Sequence, residues 1–211
     1  AVAVGGQNRK LWQPATAEWQ KVLSEFPKDP RQDKARHFLG VCLLGDGQVD
    51  PAILEFNKVL SSFPQYPQLD QVYLNLGVAQ LTKSGKTKQP ADYATAEQSF
   101  ATLLDKFPKS AEVPRAIFNQ AECRFQTGKQ TDAAAGYARL IQAYPQHELV
   151  PDAMYALGVA QDQLKQPDQA AATLAAFLQK FPKHALADEC RFRQAEALFT
   201  LKKFSEAEAL F

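Results

Sequence analysis

Cysteine is scarce in this chain of 211 residues: Cys42, Cys123 and Cys190 are all it has. An odd number of widely spaced thiols is neither a disulfide framework nor a CxxC metal pair. Histidine is as rare, with His37, His147 and His184. No carboxylate or thiol joins these at ligand spacing, so no metal site is expected. Glycine-rich phosphate loops are missing too. The stretch TKSGKTKQP (82–90) holds one glycine, too few to cradle a phosphate, and no strand precedes it. No serine or cysteine sits in a recognisable nucleophile setting. The formal charge is only +1, so no overall field draws the chain to nucleic acid or a membrane surface. No apolar run is long enough to span a bilayer. The opening AVAVGGQNRK has neither the basic leader nor the long apolar core of an intact signal peptide. These absences leave a non-enzymatic chain with no cofactor, no nucleic-acid partner and no direct membrane insertion as the expectation.

What is present is a repeat. Aromatic-proline pairs stand at Phe26-Pro27, Phe63-Pro64, Phe107-Pro108, Tyr144-Pro145 and Phe181-Pro182, with prolines 37, 44, 37 and 37 residues apart. The single 44 is 37 plus an insertion of 7. Other rows lock to this frame. Twelve residues before each of these prolines stands an alanine: Ala15, Ala52, Ala96, Ala133 and Ala170, with Ala207 continuing the row. Four residues after each alanine comes a large apolar residue: Trp19, Phe56, Phe100, Tyr137, Leu174 and Phe211. Upstream lies a row of small residues: Gly40, Gly77, Ala121, Gly158 and Ala195.

The physical reading is a helical hairpin. Ala170, Leu174, Phe177, Leu178 and Phe181 fall on one face of an α-helix. Proline lacks the N–H donor and disfavours helix in the residue before it, so the aromatic-proline pair predicts the end of each second helix, with the aromatic as its last buried knob. Gly158 on the first helix and Ala170 on the second are expected to permit a close approach of about 8–10 Å between axes. Pro114 and Pro151 suit a helix first turn. The insertion is expected to be a solvated lengthening of one hairpin turn, or a basic docking loop. The thiols stand where alanine or valine stands in other repeats, which predicts buried, inert cysteines.

This combination of small residue, alanine, aromatic and proline resembles the tetratricopeptide repeat. Gly158, Ala170, Leu174 and Pro182 fill the family's pattern, as do Ala121, Ala133, Tyr137 and Pro145, and Gly40, Ala52, Phe56 and Pro64. The resemblance covers almost the whole chain. It implies an all-α fold, a right-handed α-solenoid of stacked antiparallel helical hairpins. It divides the chain into 1–32 (a second helix alone), 33–69, 70–113 with the insertion, 114–150, 151–187 and a truncated 188–211. With a lone second helix at one end and a stop in mid-helix at the other, a piece of a longer array is expected. The period of 37 exceeds the family's usual 34 or so. That variant is similar to repeats of bacterial cell-envelope proteins, such as the TolA-binding periplasmic protein and outer-membrane-assembly lipoproteins, and implies a periplasmic or envelope location.

In such solenoids the first helices line a concave wall. The resemblance places Lys34, Gln71, Arg115, Asp152 and Glu189 there, beside His37, Leu74, Phe118, Tyr155 and Phe192, with Glu122 further along its helix. The implied function is a protein-interaction scaffold gripping a peptide or protein partner in an aromatic-floored groove. Against it stands the reading that Phe118 with Phe125, and Phe192 with Phe199, are core, the usual place of an aromatic stripe at helical spacing. The apolar residues argue against the type of domain that clamps chaperone C-termini. Two rivals stand: a module that self-associates through its repeat ends, and a helper domain of a larger enzyme.

Overall fold

The computed structural model describes residues 5–210, with side chains from Leu11 onward. Phe211, the last of the large apolar row, lies outside the described residues, as does the start of the opening segment. Among the described residues there are eleven α-helices and no strand, so the fold is all-α as expected. None of these helices is long and apolar enough to cross a membrane. The chain divides into two compact units, the first ending at Val113 and the second beginning at Pro114.

The first unit holds α1 (Gly5–Glu25), α2 (Gln32–Gly45), α3 (Val49–Ser62), α4 (Leu69–Thr87) and α5 (Pro90–Lys106). Here α2 packs on α1 and α3, and α4 packs on α3 and α5. The second unit holds α6 (Val113–Gln126), α7 (Gln130–Ala143), α8 (Val150–Gln163), α9 (Pro167–Lys180), α10 (Ala187–Thr200) and α11 (Phe204–Glu208). Its α8 packs on α7 and α9, and α10 packs on α9, α11 and α8.

The aromatic-proline pairs end helices as predicted. Phe63, Phe107, Tyr144 and Phe181 are the C-cap residues of α3, α5, α7 and α9, with φ between −133° and −128° and ψ between 53° and 63°. The N–H of each still bonds to the carbonyl four residues back, and the following proline forbids continuation. These aromatics are only half-buried, and Phe26 is exposed. They are thus not the last buried knobs expected of them. The deep positions belong instead to Val59, Leu103, Leu140 and Phe177 one turn earlier and to Phe56, Phe100, Tyr137 and Leu174 two turns earlier.

The small-residue row serves those deep side chains. A Cβ added at Gly40 would sit 2.6 Å from the Phe56 ring, one at Gly77 2.5 Å from the Phe100 ring, and one at Gly158 2.8 Å from Leu174. Gly158 therefore makes room for Leu174, not Ala170. Where the row holds Ala121, the relief comes from the partner helix: Gly136 faces the Ala121 methyl at 2.8 Å from where its own Cβ would be.

Between first and second helices the turn residue is left-handed every time: Gly47, Lys88, Gly128, Lys165 and Lys202 have φ between 56° and 82°. The insertion is not a longer turn. Its residues continue α4 to Thr87, and α5 starts at once on Pro90, leaving Lys88 and Gln89 between them. Helix satisfies the inserted backbone groups internally, and the Ser84 hydroxyl bonds to the Gln80 carbonyl inside the hairpin.

Candidate functional site

In the second unit, α6 and α8 lie with a cleft of about 340 Å³ between them, closed on one side by Tyr137 of α7. Phe118 and Phe125 wall it from α6, and Tyr155, Ala156 and Val159 from α8. Phe118 is half-buried, with its ring centroid 5.8 Å from that of the wholly buried Tyr137. Two acids face the cleft, Glu122 and Asp152. The Tyr137 hydroxyl donates to Glu122 Oε1. Burial raises the Glu122 carboxyl above its ordinary range; the Tyr137 hydrogen bond opposes this and the nearby Asp152 charge adds to it. Burial, and then the Glu122 charge, also push the Tyr137 phenol up, so its proton stays on oxygen. Among the described residues no lysine or arginine is paired with Glu122 or Asp152.

One repeat further on the arrangement is filled. Arg193 of α10 lies over the Tyr155 ring, 5.6 Å from its centroid. Its Nε donates to Glu189 Oε1 at 2.8 Å and to the Tyr155 oxygen at 3.1 Å. Tyr155 and Glu189 are thus brought together by a cation of the chain itself.

The first unit offers less wall. Lys34 is exposed, its ammonium 5.9 Å from the Phe38 ring centroid, at the edge of a second hollow lined by Trp19, Val22 and Phe26. Gln71 is half-buried. His37 and Leu74 are 1% and 6% exposed, which corrects their placement on an open wall. The reason for His37 is a buried relay. Asn75 Nδ2 lies 3.2 Å from His37 Nε2, His37 Nδ1 lies 3.0 Å from the Tyr66 oxygen, and Tyr66 donates to Gln68 Oε1 at 2.7 Å. The donor order fits one neutral tautomer, with the proton on Nδ1. Burial lowers the His37 pKa, with the Asp70 charge in partial opposition.

Residues 91–148 and 152–184 match two family models described as the tetratricopeptide repeat. The chain carries tetratricopeptide repeats. Its fold is shared with solved structures of low identity. A crystal structure of the MamA protein superposes with a TM-score of 0.71 at 19% identity, covering 87% of this chain and 90% of that one. TTC0263, a thermophilic TPR protein of Thermus thermophilus, superposes with a TM-score of 0.61 at 20% identity, covering 93% and 96%. Among curated protein sequences none matches.

Within this tetratricopeptide array, Phe118, Glu122, Asp152 and Tyr155 converge on one cleft. Arg115 does not line it; its guanidinium donates to Glu148 Oε1 at 3.0 Å in the link before α8. Phe192 is 49% exposed on α10. Sequence reading passed over Arg193, though Glu189 four residues earlier is the spacing of a helical ion pair. It also missed two matching polar ties inside hairpins: Ser99 to Gln80 Oε1 at 2.6 Å, and Thr173 to Gln161 Oε1 at 2.8 Å. Both hold the same pair of repeat positions, so a column-wise reading for polar residues could have found them.

The scarce residues have structural places. All three cysteines are buried, and burial raises the thiols of Cys42 and Cys190, the latter to about 11. His147 and His184 each accept a backbone N–H two residues on, from Leu149 at 3.2 Å and Leu186 at 3.3 Å. They shape the links between repeats. Among the described residues no cluster of three or more histidines, cysteines and carboxylates could hold a metal ion.

Proposed function

We propose that the chain is a non-enzymatic interaction scaffold that holds an extended or helical segment of a protein partner against α6 and α8. The observation that carries this reading is the cleft walled by Phe118, Phe125 and Tyr155, a concave apolar site with two convergent acids. The partner complex belongs to a bacterial cell envelope in this reading, on the ground of the 37-residue period. The test is partner capture by the parent and by the pair of changes Phe118→Ala and Asp152→Lys, with matched circular dichroism. Loss of the captured partner supports the reading; unchanged capture by the folded variant rejects it.

A second reading is association between copies. It is favoured by Phe199 and Phe204, 65% and 54% exposed and stacked edge-to-face at 5.1 Å. Light scattering of the parent against Phe199→Ser with Phe204→Ser separates the two. A mass that halves in the variant favours association.

A further inference from the structure

The array contains its own example of an occupied groove. Between α8 and α10, the aromatic is Tyr155, the acid is Glu189, and Arg193 bridges them by stacking on the ring and bonding to the carboxylate. Subtracting the 37-residue period gives the equivalent residues between α6 and α8: Phe118, Asp152 and Ala156. The aromatic and the acid are present. The position of the guanidinium holds a methyl group, and a cleft of about 340 Å³ stands in its place, with Glu122 as a further acid. Arginine suits such a site because its planar cation stacks on an aromatic face and donates in a fork to a carboxylate. Neither acid is matched by a lysine or arginine among the described residues, so the charge there calls for a cation from outside.

We infer that the cleft between α6 and α8 takes one arginine side chain of the partner, stacked on Phe118 and bonded to Asp152 and Glu122, in the place that Arg193 fills one repeat later. This rests on the groove reading above and names what the groove selects. The partner segment is then one that presents an exposed arginine, and its capture weakens with added salt.

Amide NMR of the full chain, titrated with N-acetyl-arginine amide and with N-acetyl-citrulline amide, tests this. Citrulline keeps the length and planarity but not the charge. The expected result is saturable shifts around Phe118, Asp152 and Ala156, with arginine binding roughly tenfold tighter than citrulline, the order expected for charge-assisted hydrogen bonds. Ala156→Arg supplies the missing guanidinium from within and should abolish the shifts while melting no lower than the parent. Should Ala156→Arg fail to fold, Asp152→Asn serves: it should weaken arginine binding and leave citrulline as it was. Equal shifts from both ligands, no shifts from either, or undiminished arginine binding in the folded variants overturns the inference. If the parent binds both ligands equally and Ala156→Arg blocks both, the groove reading stands and the arginine specificity falls. If neither ligand binds but Phe118→Ala with Asp152→Lys still loses the partner, the groove again stands without its cation.

Discussion

The hydroxyl of Tyr137 donates to the carboxylate of Glu122, across a helix pair of which three counterparts are apolar at these two places. The counterparts are Val41 with Phe56, Val78 with Phe100, and Val159 with Leu174. One repeat therefore carries a buried tyrosine and an acid where three others carry two apolar residues, and the cleft opens beside that pair.

Glu122 should accordingly cost stability at neutral pH. Its folded carboxyl is raised above its ordinary 4.5, mainly by burial. A raised acid favours the folded state fully below its unfolded value, and that support is lost as pH rises through the folded value. Glu122→Gln keeps an acceptor for Tyr137 without the charge. Its melting temperature should match the parent below about pH 4 and exceed it by a widening margin toward pH 7. Thermal melts across that range check this; a variant that melts lower at pH 7 contradicts it. Tyr137→Phe should instead lose about 0.5–1.5 kcal/mol, one net hydrogen bond.

His37 gives the first unit an opposite dependence. Its folded pKa is lowered by burial from the ordinary 6.5. The unfolded chain then takes up the proton first, so stability falls as pH drops through 6.5 and the loss levels off below the folded value. The facing groups are Tyr66, Asn75, Gln68 and the charge of Asp70, which moderates the effect. His37→Leu, the residue Leu74 already places at the next repeat, should be less stable at pH 7 because Tyr66 and Asn75 lose a partner. Its melting temperature should vary less than the parent's between pH 7 and roughly pH 5.

Two glycines should respond in opposite directions. Gly158→Leu drives a side chain into Leu174, and overpacking of this kind costs about 1–3 kcal/mol. Gly85 lies within α4 with nothing within 4 Å of its missing Cβ. Gly85→Ala should stabilise by about 0.5–1 kcal/mol, since glycine is the poorer helix former. Denaturant unfolding of both variants decides; equal shifts contradict the packing assigned to the small-residue row.

Lys165 holds φ at 59° in the turn between α8 and α9, where Gly47 and Gly128 serve equivalent turns. A left-handed lysine costs about 1–2 kcal/mol. Lys165→Gly relieves this against a loss of about 0.5–1 kcal/mol from a more flexible unfolded chain. The expected outcome is a neutral or slightly stabilised protein, in contrast to a glycine placed at Asp162 within the helix.

Much of this was legible in the sequence where a position repeats. Proline ends and small residues facing large ones recur at a fixed period, so the hairpins and their core could be read. The insertion could not, because nothing in TKSGKTKQP marks a helix against a loop: the single Gly85 is tolerated and Pro90 suits either a turn or a helix start. His37 was placed on the wall because the resemblance puts its column there, although the apolar residues of that column fit a buried filler, and burial depth within a helix face is not a property of spacing. Phe118 and Tyr155 were legible as one column and Asp152 as a member of another. Their union into one cleft depended on Ala156 being small where Arg193 is long, a difference that shows only in the packed side chains.

The central claim is that a partner is held between α6 and α8. A photo-crosslinking residue replacing Gln126, exposed at the rim of that cleft, tests it in native cells, with the same residue replacing Gln169 on the exposed face of α9 as reference. The account predicts a discrete adduct from position 126, absent from position 169 and lost when Ala156→Arg is added. An adduct from position 169 alone, or one from position 126 that survives Ala156→Arg, contradicts it.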